Sequence, residues 1–312
     1  MPPKKFVRVR KQLAERTIRE LKNGGLYDRD YGIIRDGDFV FIPVVENYIG
    51  DHVVLDAEPN RISSAASGSF DIIGSIAIMK KQDETLARNI LNTHRNIRSV
   101  FYDEGVDGPE RIRKLKLIAG DNISVTEYRE NGCTFIVDVA RAYFSPRLAT
   151  ERRRLIEQVS DGEFIFDMFA GIGPISIEIA RYRMVRIIAV DMNCDAIDML
   201  QRNMARNPLR GTIEPLCEDA RNAAVRVSDA DRVIMNHPTA SFEFIDSALK
   251  TIRVGGIVNY YEFLDDSTVD RRISDLESRS LQLLEMHRVH SYSKTISLYS
   301  MTLRKARGNA DH

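Results

Sequence analysis

Residues 164–174, FIFDMFAGIGP, decide the fold of this chain. The first three are apolar residues that favour β-structure, and Asp167 stands where the predicted strand ends. Gly171 and Gly173 allow a sharp turn and the close approach of a ligand, and Pro174 suits the first turn of a helix. A strand that leads through a glycine turn into a helix N-terminus is typical of a small-molecule binding site.

The spacing of the glycines excludes two common phosphate-binding patterns. No Gly-Lys-Ser/Thr follows, as a P-loop requires, and Ser176 stands where the dinucleotide pattern has its third glycine. Asp191 ends the next predicted strand, residues 185–190, and its carboxylate can accept hydrogen bonds from two ribose hydroxyls. Strand, glycine turn, helix, strand and acid together are typical of Rossmann-like methyltransferases, so we expect S-adenosylmethionine as the cofactor. The glycine turn by itself also fits an ordinary tight turn.

Composition limits the class of protein. Of the 312 residues 43% are apolar and 29% charged, which suffices for a sizeable core in two or three domains. The net charge is zero, so a nucleic-acid role has to depend on local patches. Cys133, Cys194 and Cys217 are scattered, so we expect neither a zinc cluster nor a disulfide and infer a reducing cytoplasm. We expect no membrane span and no secretory signal.

The predicted fold class is α/β, with a Rossmann-like methyltransferase domain of doubly wound, mostly parallel sheet preceded by two smaller α+β domains. Residues 1–62 form the first domain, with a basic helix near 11–21 whose charged face is either solvated or contacts nucleic acid. A polar linker is expected at 60–69. Residues 63–147 form the second domain, with the order β-α-β-β-β. Residues 148–312 form the Rossmann-like domain.

Ligands of open α/β sheets bind at the carboxyl ends of the strands. Besides the glycine turn and Asp191, this rule selects Asp219 and the segment Asn236-His237-Pro238. Asp219 is placed either to meet an adenine amine or to cap the following helix. Asn236 is placed at the reactive end of the cofactor, where its segment holds a planar base or forms an ordinary turn.

Four segments resemble the archaeal and eukaryotic tRNA (guanine-37-N1) methyltransferases, which are class I enzymes dependent on S-adenosylmethionine. They are RIRKLKLIAG (111–120), YFSPRLATER (143–152), DMFAGIGP (167–174) and RVIMNHP (232–238). The resemblance extends over essentially the whole chain, the N-terminal domain included. It implies an enzyme whose partner is tRNA, gripped at its outer corner by the first domain and at its anticodon loop by the other two. We expect the protein to be a cytoplasmic monomer. The sulfonium methyl group is already activated, so we expect no metal.

Methylation at N1 of guanine needs a base, because N1 carries a proton at neutral pH. It also needs a cation or an amide near O6 to stabilise the developing charge. By resemblance Glu151 is the general base, Arg111 stabilises O6, and Asn236 belongs to the base-holding motif. The predicted cofactor contacts come from the strand ends and from the resemblance: Tyr143, Arg147, Asp167, Phe169, Gly171, Gly173, Asp191, Asp219 and Asn236. The predicted substrate contacts are mostly basic: Arg113, Pro238, Arg152, Lys4, Lys5, Arg8 and Arg10.

Several alternatives remain open at this level. Glu151 precedes three arginines, so it also fits a surface ion-pair run, and Arg113 could take the role of Arg111. His237 departs from the Leu or Pro common in the family and is expected to be a packed neighbour. Some archaeal members also methylate a wyosine precursor at position 37. The alternative functions are an aminocarboxypropyl transferase using the same cofactor and a non-catalytic tRNA-binding protein; Asn236-x-Pro238 favours methyl transfer, and Glu151 argues for an enzyme.

Overall fold

The structure is a computed structural model that describes residues 3–28, 31–56, 70–108 and 112–307, with only the backbone of Val106 and Asp107. The chain forms two compact units, Met1–Gly68 and Ser69–His312. The predicted linker at 60–69 and Arg111 lie outside the described residues. Their roles therefore stay predictions.

In its described residues the first unit is a four-stranded sheet with one α-helix. Its elements are β1 (Pro3–Arg10), α1 (Ala14–Asn23), β2 (Ile34–Asp36), β3 (Phe39–Pro43) and β4 (Val53–Asp56). The strands lie in the order β2-β3-β1-β4. Sequence analysis does not predict β1, because its basic side chains hide the apolar contribution of Phe6, which is fully buried. The predicted helix is present and begins at Ala14, after a 3-10 turn at Lys11–Leu13.

The second unit begins with a four-stranded sheet and a separate hairpin. These elements are β5 (Phe70–Ile73), β6 (Ile76–Met79), α2 (Glu84–Thr93), β7 (Ser99–Asp107), β8 (Ile112–Gly120), β9 (Val125–Glu130) and β10 (Cys133–Asp138). The first sheet has the order β5-β6-β7-β8, and β9 pairs with β10. The apolar residues of 72–78 predict a single strand, but the chain reverses there. Gly74 has φ +55°, and an added Cβ would collide with the carbonyl oxygen of Glu127.

The Rossmann-like sheet follows and confirms the predicted fold class. Its strands are β11 (Phe164–Asp167), β12 (Arg186–Asp191), β13 (Thr212–Cys217), β14 (Ala230–Met235), β15 (Ile252–Asp265), β16 (Leu281–Ser291) and β17 (Ile296–Lys305). Its helices are α3 (Ala149–Gln158), α4 (Pro174–Tyr182), α5 (Cys194–Arg206), α6 (Ala220–Ala224), α7 (Ile245–Thr251) and α8 (Val269–Glu277). The strand order is β13-β12-β11-β14-β15-β17-β16, parallel as far as β15 and antiparallel beyond it. The carboxyl ends of the central strands thus meet at one edge.

One hydrophobic core joins this sheet to the strands that precede it. Ile78 and Phe135 share a cluster of buried side chains with Leu155 and Ile187. The predicted boundary between residues 147 and 148 thus runs through a common core, and the division into domains stays a prediction. No helix within the described residues is long and apolar enough to cross a bilayer.

Cys194 and Cys217 form a disulfide, so the prediction of unpaired cysteines is wrong for this pair. Their Cα atoms lie 5.2 Å apart, because Cys217 ends β13 and Cys194 begins the helix after β12, the adjacent strand. Twenty-three residues separate them in sequence, which hides this proximity. Cys133 is free and buried. The disulfide removes the cysteine argument for a reducing compartment, and the cytoplasmic location stays a prediction.

Candidate active site

A cavity of about 460 Å³ opens at the carboxyl ends of β11, β12, β13 and β14. Its volume falls within the range of roughly 300–1,000 Å³ typical of small-molecule sites. The segments that follow these strands line it, with Phe169, Gly171, Asp191, Asp219, Asn236 and Pro238 among the residues predicted to contact ligand. Tyr143 and Arg152 also line it. The structure therefore brings together most of the strand-end residues that the sequence selects.

The two glycines of the turn have different functions. Gly171 has φ +54° and lines the cavity, and its N–H donates to Oδ2 of Asp191 at 2.7 Å. Gly173 has φ +85° and does not line the cavity. A Cβ on Gly173 would lie 2.7 Å from Cγ of Leu200, so its absence lets α5 pack against the turn.

Asp167 lies beneath the turn and is completely buried. Its Oδ2 accepts a hydrogen bond from Oγ of Ser176 at 2.7 Å. Burial raises the pKa of Asp167 to about 7, although hydrogen bonds from Ser176 and from the N–H of Phe169 oppose the shift. Asp167 does not line the cavity, so its role here is to hold the turn, and its predicted contact with the cofactor stays a prediction.

Two carboxylates face the cavity from the neighbouring strand ends. Asp191 also accepts from the N–H of Asn193, at 2.9 Å. Asp219 caps α6 by accepting from the N–H of Arg221 at 2.8 Å, and the same oxygen accepts from Nε of that arginine at 2.9 Å. The hydrogen bonds from Arg221 lower the pKa of Asp219, so it is ionised. Asp219 therefore caps the helix and also lines the cavity, while its predicted contact with an adenine amine stays a prediction.

Asn236 brings an unsatisfied acceptor to the cavity. Its Oδ1 is buried and has no hydrogen-bond partner in the part of the chain that the structure describes. A buried polar atom in this condition costs on the order of 1–3 kcal/mol unless a ligand satisfies it. The next residue, His237, packs its ring edge-to-face against Phe169 with centroids 4.9 Å apart, as expected for a packed neighbour. Pro238 is held by its carbonyl, which accepts from the N–H of Phe263 at 2.9 Å.

Glu151 lies in the first turn of α3 within a shell of donors. The side chain is 6% exposed and does not line the cavity. Its oxygens accept from Nε and Nη2 of Arg154 at 3.1 and 2.9 Å, from Oη of Tyr261 at 2.8 Å and from Oγ of Ser300 at 2.9 Å. The fourth partner is Nε2 of His287, at 2.7 Å.

This shell keeps Glu151 ionised. Burial by itself would raise the pKa of the carboxyl, but hydrogen bonds from Arg154, His287 and Tyr261 outweigh burial and lower it. The largely buried pair of Glu151 and Arg154, at 2.9 Å within α3, confirms part of the ion-pair alternative. Arg154 also connects α3 to β17, because its Nη2 donates to Oγ of Ser300 at 2.9 Å. Sequence reasoning missed His287 and Tyr261, because nothing local to either residue indicates this contact.

The arginines near the cavity are engaged by acids. Arg152 is 4% exposed and donates to Oε2 of Glu130 at 2.7 Å. Arg113 is 5% exposed and donates to Asp103 at 3.2 Å. In the structure both arginines form buried ion pairs, and their predicted contacts with the substrate stay predictions.

Tyr143 and Arg147 come from the segment Tyr-Phe-Ser-Pro-Arg, residues 143–147. Tyr143 is 40% exposed at the cavity, and the guanidinium of Arg113 lies 4.7 Å from its ring centroid. Arg147 does not line the cavity and donates through Nε to Oδ1 of Asp71 at 2.6 Å. Phe263 and His290 also line the cavity, although sequence reasoning did not select them. Within the described ranges, no group of three or more His, Cys, Asp or Glu side chains could hold a metal ion.

The basic residues of the first unit differ in exposure. Lys4 is 2% exposed and pairs with Asp28 at 2.5 Å and Glu46 at 3.3 Å. Its predicted contact with the substrate stays a prediction. Lys5 donates to the carbonyl of Glu46 at 2.7 Å. Arg8 and Arg10 are exposed.

Comparison with known proteins identifies the relatives of this chain. Residues 126–286 match the family described as the TRM5/TYW2 methyltransferase domain, and residues 7–51 match the tRNA methyltransferase 5 N-terminal domain. A protein of Pyrococcus abyssi named tRNA (guanine(37)-N(1))-methyltransferase Trm5b is 37% identical over 281 residues, which cover 82% of this chain and 83% of the relative. The protein of the same name from Methanocaldococcus jannaschii is 31% identical over 92% of this chain and 94% of its own length.

Other relatives mark the range of activities among similar proteins. A tRNA(Phe) (4-demethylwyosine(37)-C(7)) aminocarboxypropyltransferase of Methanocaldococcus jannaschii is 29% identical over 65% of this chain and 81% of its own length. The crystal structure of wild-type Trm5b from Pyrococcus abyssi has a TM-score of 0.70 at 32% identity, covering 97% of this chain and 99% of that one. The structure of aTrm5 in complex with tRNALeu has a TM-score of 0.69 at 29% identity, with the same coverage.

Proposed function

The chain belongs to the TRM5/TYW2 methyltransferase family, and we propose that it transfers the methyl group of S-adenosylmethionine to N1 of guanosine 37 in tRNA. The observation that carries the proposal is the unsatisfied Oδ1 of Asn236 at the ligand cavity. Methylation of a wyosine precursor at the same position is a second activity that we propose to test.

The cavity fits the cofactor. Asp191 offers carboxylate oxygens to the ribose hydroxyls, and Asp219 offers one to the adenine amine. Gly171 carries no side chain that would fill the space beside the turn. When bound, S-adenosylmethionine supplies an activated sulfonium methyl group, so the reaction requires no metal.

Asn236 and Pro238 are placed to hold the acceptor base. The unsatisfied Oδ1 of Asn236 can accept a hydrogen bond from an N–H of guanine, which would satisfy both groups. Pro238 and the neighbouring ring of Phe263 offer apolar surface to a planar base. Fixing the base in this way aligns N1 for in-line displacement.

Glu151 is the proposed acceptor of the N1 proton. It is ionised, as a base must be, but its four donors make it a weak one. We expect the N1–H of guanine to replace one of these donors when tRNA binds, because catalytic hydrogen bonds are often completed only in the complex with the substrate. Arg111 is proposed to stabilise O6 as the proton leaves, in the manner of an oxyanion hole.

The proposed contacts with tRNA involve both units. The exposed Arg8 and Arg10 in the first unit are placed to meet phosphates of the outer corner. The second unit takes the anticodon loop at the cavity, and we propose that the protein acts in the cytoplasm as a monomer. Structural similarity to aTrm5 in complex with tRNALeu supports tRNA as the partner.

Methyl-labelled cofactor and tRNA with an unmodified guanosine 37 test the proposal. Nucleoside mass analysis should find the label in N1-methylguanosine. A mass gain of an aminocarboxypropyl group would instead assign the activity of the third relative described above, and tRNA binding without product would indicate a non-catalytic protein. A parallel reaction with tRNA carrying the wyosine precursor tests the second activity.

A further inference from the structure

Three aromatic side chains lie together where the antiparallel strands meet the cavity, and we call Phe263, His290 and Tyr292 the aromatic rim. Phe263 and His290 line the cavity, with ring centroids 6.2 Å apart at 84°. Tyr292 stacks obliquely beside Phe263, with centroids 5.2 Å apart at 52°. Strand register produces this cluster, because Leu298 of β17 is opposite both Phe263 of β15 and His290 of β16.

Tyr292 presents most of its ring to solvent. It is 73% exposed, in the turn between β16 and β17. The turn is well defined, since the N–H of Tyr292 donates to the carbonyl of Ile296 at 2.8 Å and the N–H of Ile296 donates to Oγ of Ser293 at 3.0 Å. A large aromatic ring held in place beside a ligand cavity with one free side is suited to stacking against a planar ligand.

His290 adds a polar atom to the rim. Its Nδ1 is buried and has no hydrogen-bond partner among the residues that the structure describes. Burial and the nearby charge of Arg147 lower the pKa of His290, while Asp71 opposes them, so the imidazole is neutral at pH 7. The acids at the nearby end of β15 are already engaged: Asp265 accepts from Ser267 at 2.6 Å, and Asp266 pairs with Arg288 at 3.6 Å. A neutral planar ligand with hydrogen-bonding edges suits these surroundings.

We propose that the aromatic rim binds an unpaired nucleobase adjacent to the acceptor nucleotide of the RNA substrate. The inference rests on the proposed function. A base that enters an active-site pocket leaves the stack of its loop, and its neighbour thereby loses a stacking face. The ring of Tyr292 replaces that face, beside the rings of Phe263 and His290 that line the cavity.

Kinetics with tRNA and with cofactor separate this role from a structural one. Tyr292→Ala should raise the KM for tRNA about 5- to 150-fold, the range that corresponds to one stacked base. Its Kd for S-adenosylmethionine should stay within about twofold of the wild-type value. Tyr292→Phe, which keeps the ring, should retain wild-type KM. Met184→Ala serves as the matched control, because Met184 is 54% exposed and does not line the cavity.

Abasic substrates identify the contacted base. Two transcripts are compared, one lacking the base at position 36 and the other lacking it at position 38. With wild-type enzyme, one of the two should show the same raised KM as Tyr292→Ala shows with intact tRNA. At that position Tyr292→Ala should add little further loss, because the interaction is already absent. Additive losses at both positions, an unchanged KM in Tyr292→Ala, or a weakened cofactor affinity would each overturn the assignment. Absence of N1-methylguanosine with wild-type enzyme would instead refute the proposed function itself.

Discussion

Nε2 of His287 lies 2.7 Å from Oε2 of Glu151, joining β16 to the first turn of α3. The carboxylate is 6% exposed, whereas the imidazole is 32% exposed. The histidine therefore connects a buried anion to the protein surface. Together with Arg154, it also keeps that anion charged in a place where burial would favour the neutral acid.

Glu151→Gln should lower turnover by about 100- to 10,000-fold, the usual contribution of a general base. Cofactor affinity should stay within about twofold, because Glu151 does not line the cavity. Single-turnover methylation and calorimetric cofactor binding measure the two quantities. Glu157→Gln is the matched control, since Glu157 lies on the same helix and is 68% exposed. Loss of cofactor binding in Glu151→Gln would contradict the assignment of the base.

Asn236→Ala should lower kcat/KM for tRNA by at least about tenfold while leaving the cofactor-free protein no less stable than wild type. Its Oδ1 makes no hydrogen bond within the described residues, so its removal eliminates a buried unsatisfied acceptor. Urea unfolding and steady-state kinetics on the same preparation test both statements. Wild-type activity in this variant would remove Asn236 from the site, and a large loss of stability would show that its oxygen is satisfied in solution.

Glu178→Gln should make the free energy of unfolding less dependent on pH. Burial and the neighbouring Glu130 raise the pKa of Glu178, although Arg152 opposes the shift. A carboxyl with a raised pKa in the folded state contributes stability that is present below its unfolded pKa of about 4.5 and is lost as pH rises through the folded value. Relative to wild type, the variant should therefore gain at least about 1.4 kcal/mol between pH 5 and pH 9.

Urea titrations at pH 5, 7 and 9 measure this difference. Nδ2 of Asn131 lies 2.8 Å from Oε2 of Glu178. The glutamine of the variant can keep this contact by turning its amide oxygen toward Asn131. Glu157→Gln again provides the exposed control. Parallel curves for wild type and Glu178→Gln would show that this carboxyl is ionised in both states.

Reduction of the Cys194–Cys217 disulfide should lower the free energy of unfolding by about 3 kcal/mol, as expected for a closed loop of this length. It should also raise the Kd for S-adenosylmethionine, because Asp191 and Asn193 lie just before Cys194 and line the cavity. Unfolding and binding measured with and without dithiothreitol test this. A variant carrying both Cys194→Ser and Cys217→Ser should not respond to the reductant, and an equal response in that variant would contradict the prediction.

Sequence periodicity was sufficient to predict the Rossmann-like sheet, but it did not predict β1 or the hairpin of β5 and β6. Buried strands such as β11 and β12 are continuous apolar runs, and each is followed by a recognisable turn and helix. In contrast, the basic side chains of β1 hide its apolar face. The hairpin of β5 and β6 is hidden for the opposite reason, because apolar residues on both sides of Gly74 give one uninterrupted signal.

The sequence by itself determined the glycine turn and the strand-end residues Asp191, Asp219 and Asn236. Each of them follows its own strand, so each depends only on residues close to it in the chain. Tertiary structure alone decided what surrounds Glu151, because Tyr261, His287 and Ser300 lie 110, 136 and 149 residues further along the chain. The same holds for the aromatic rim and the disulfide. Each depends on which strands pair and in what register, and that choice is made by burial of the whole sheet rather than by local sequence.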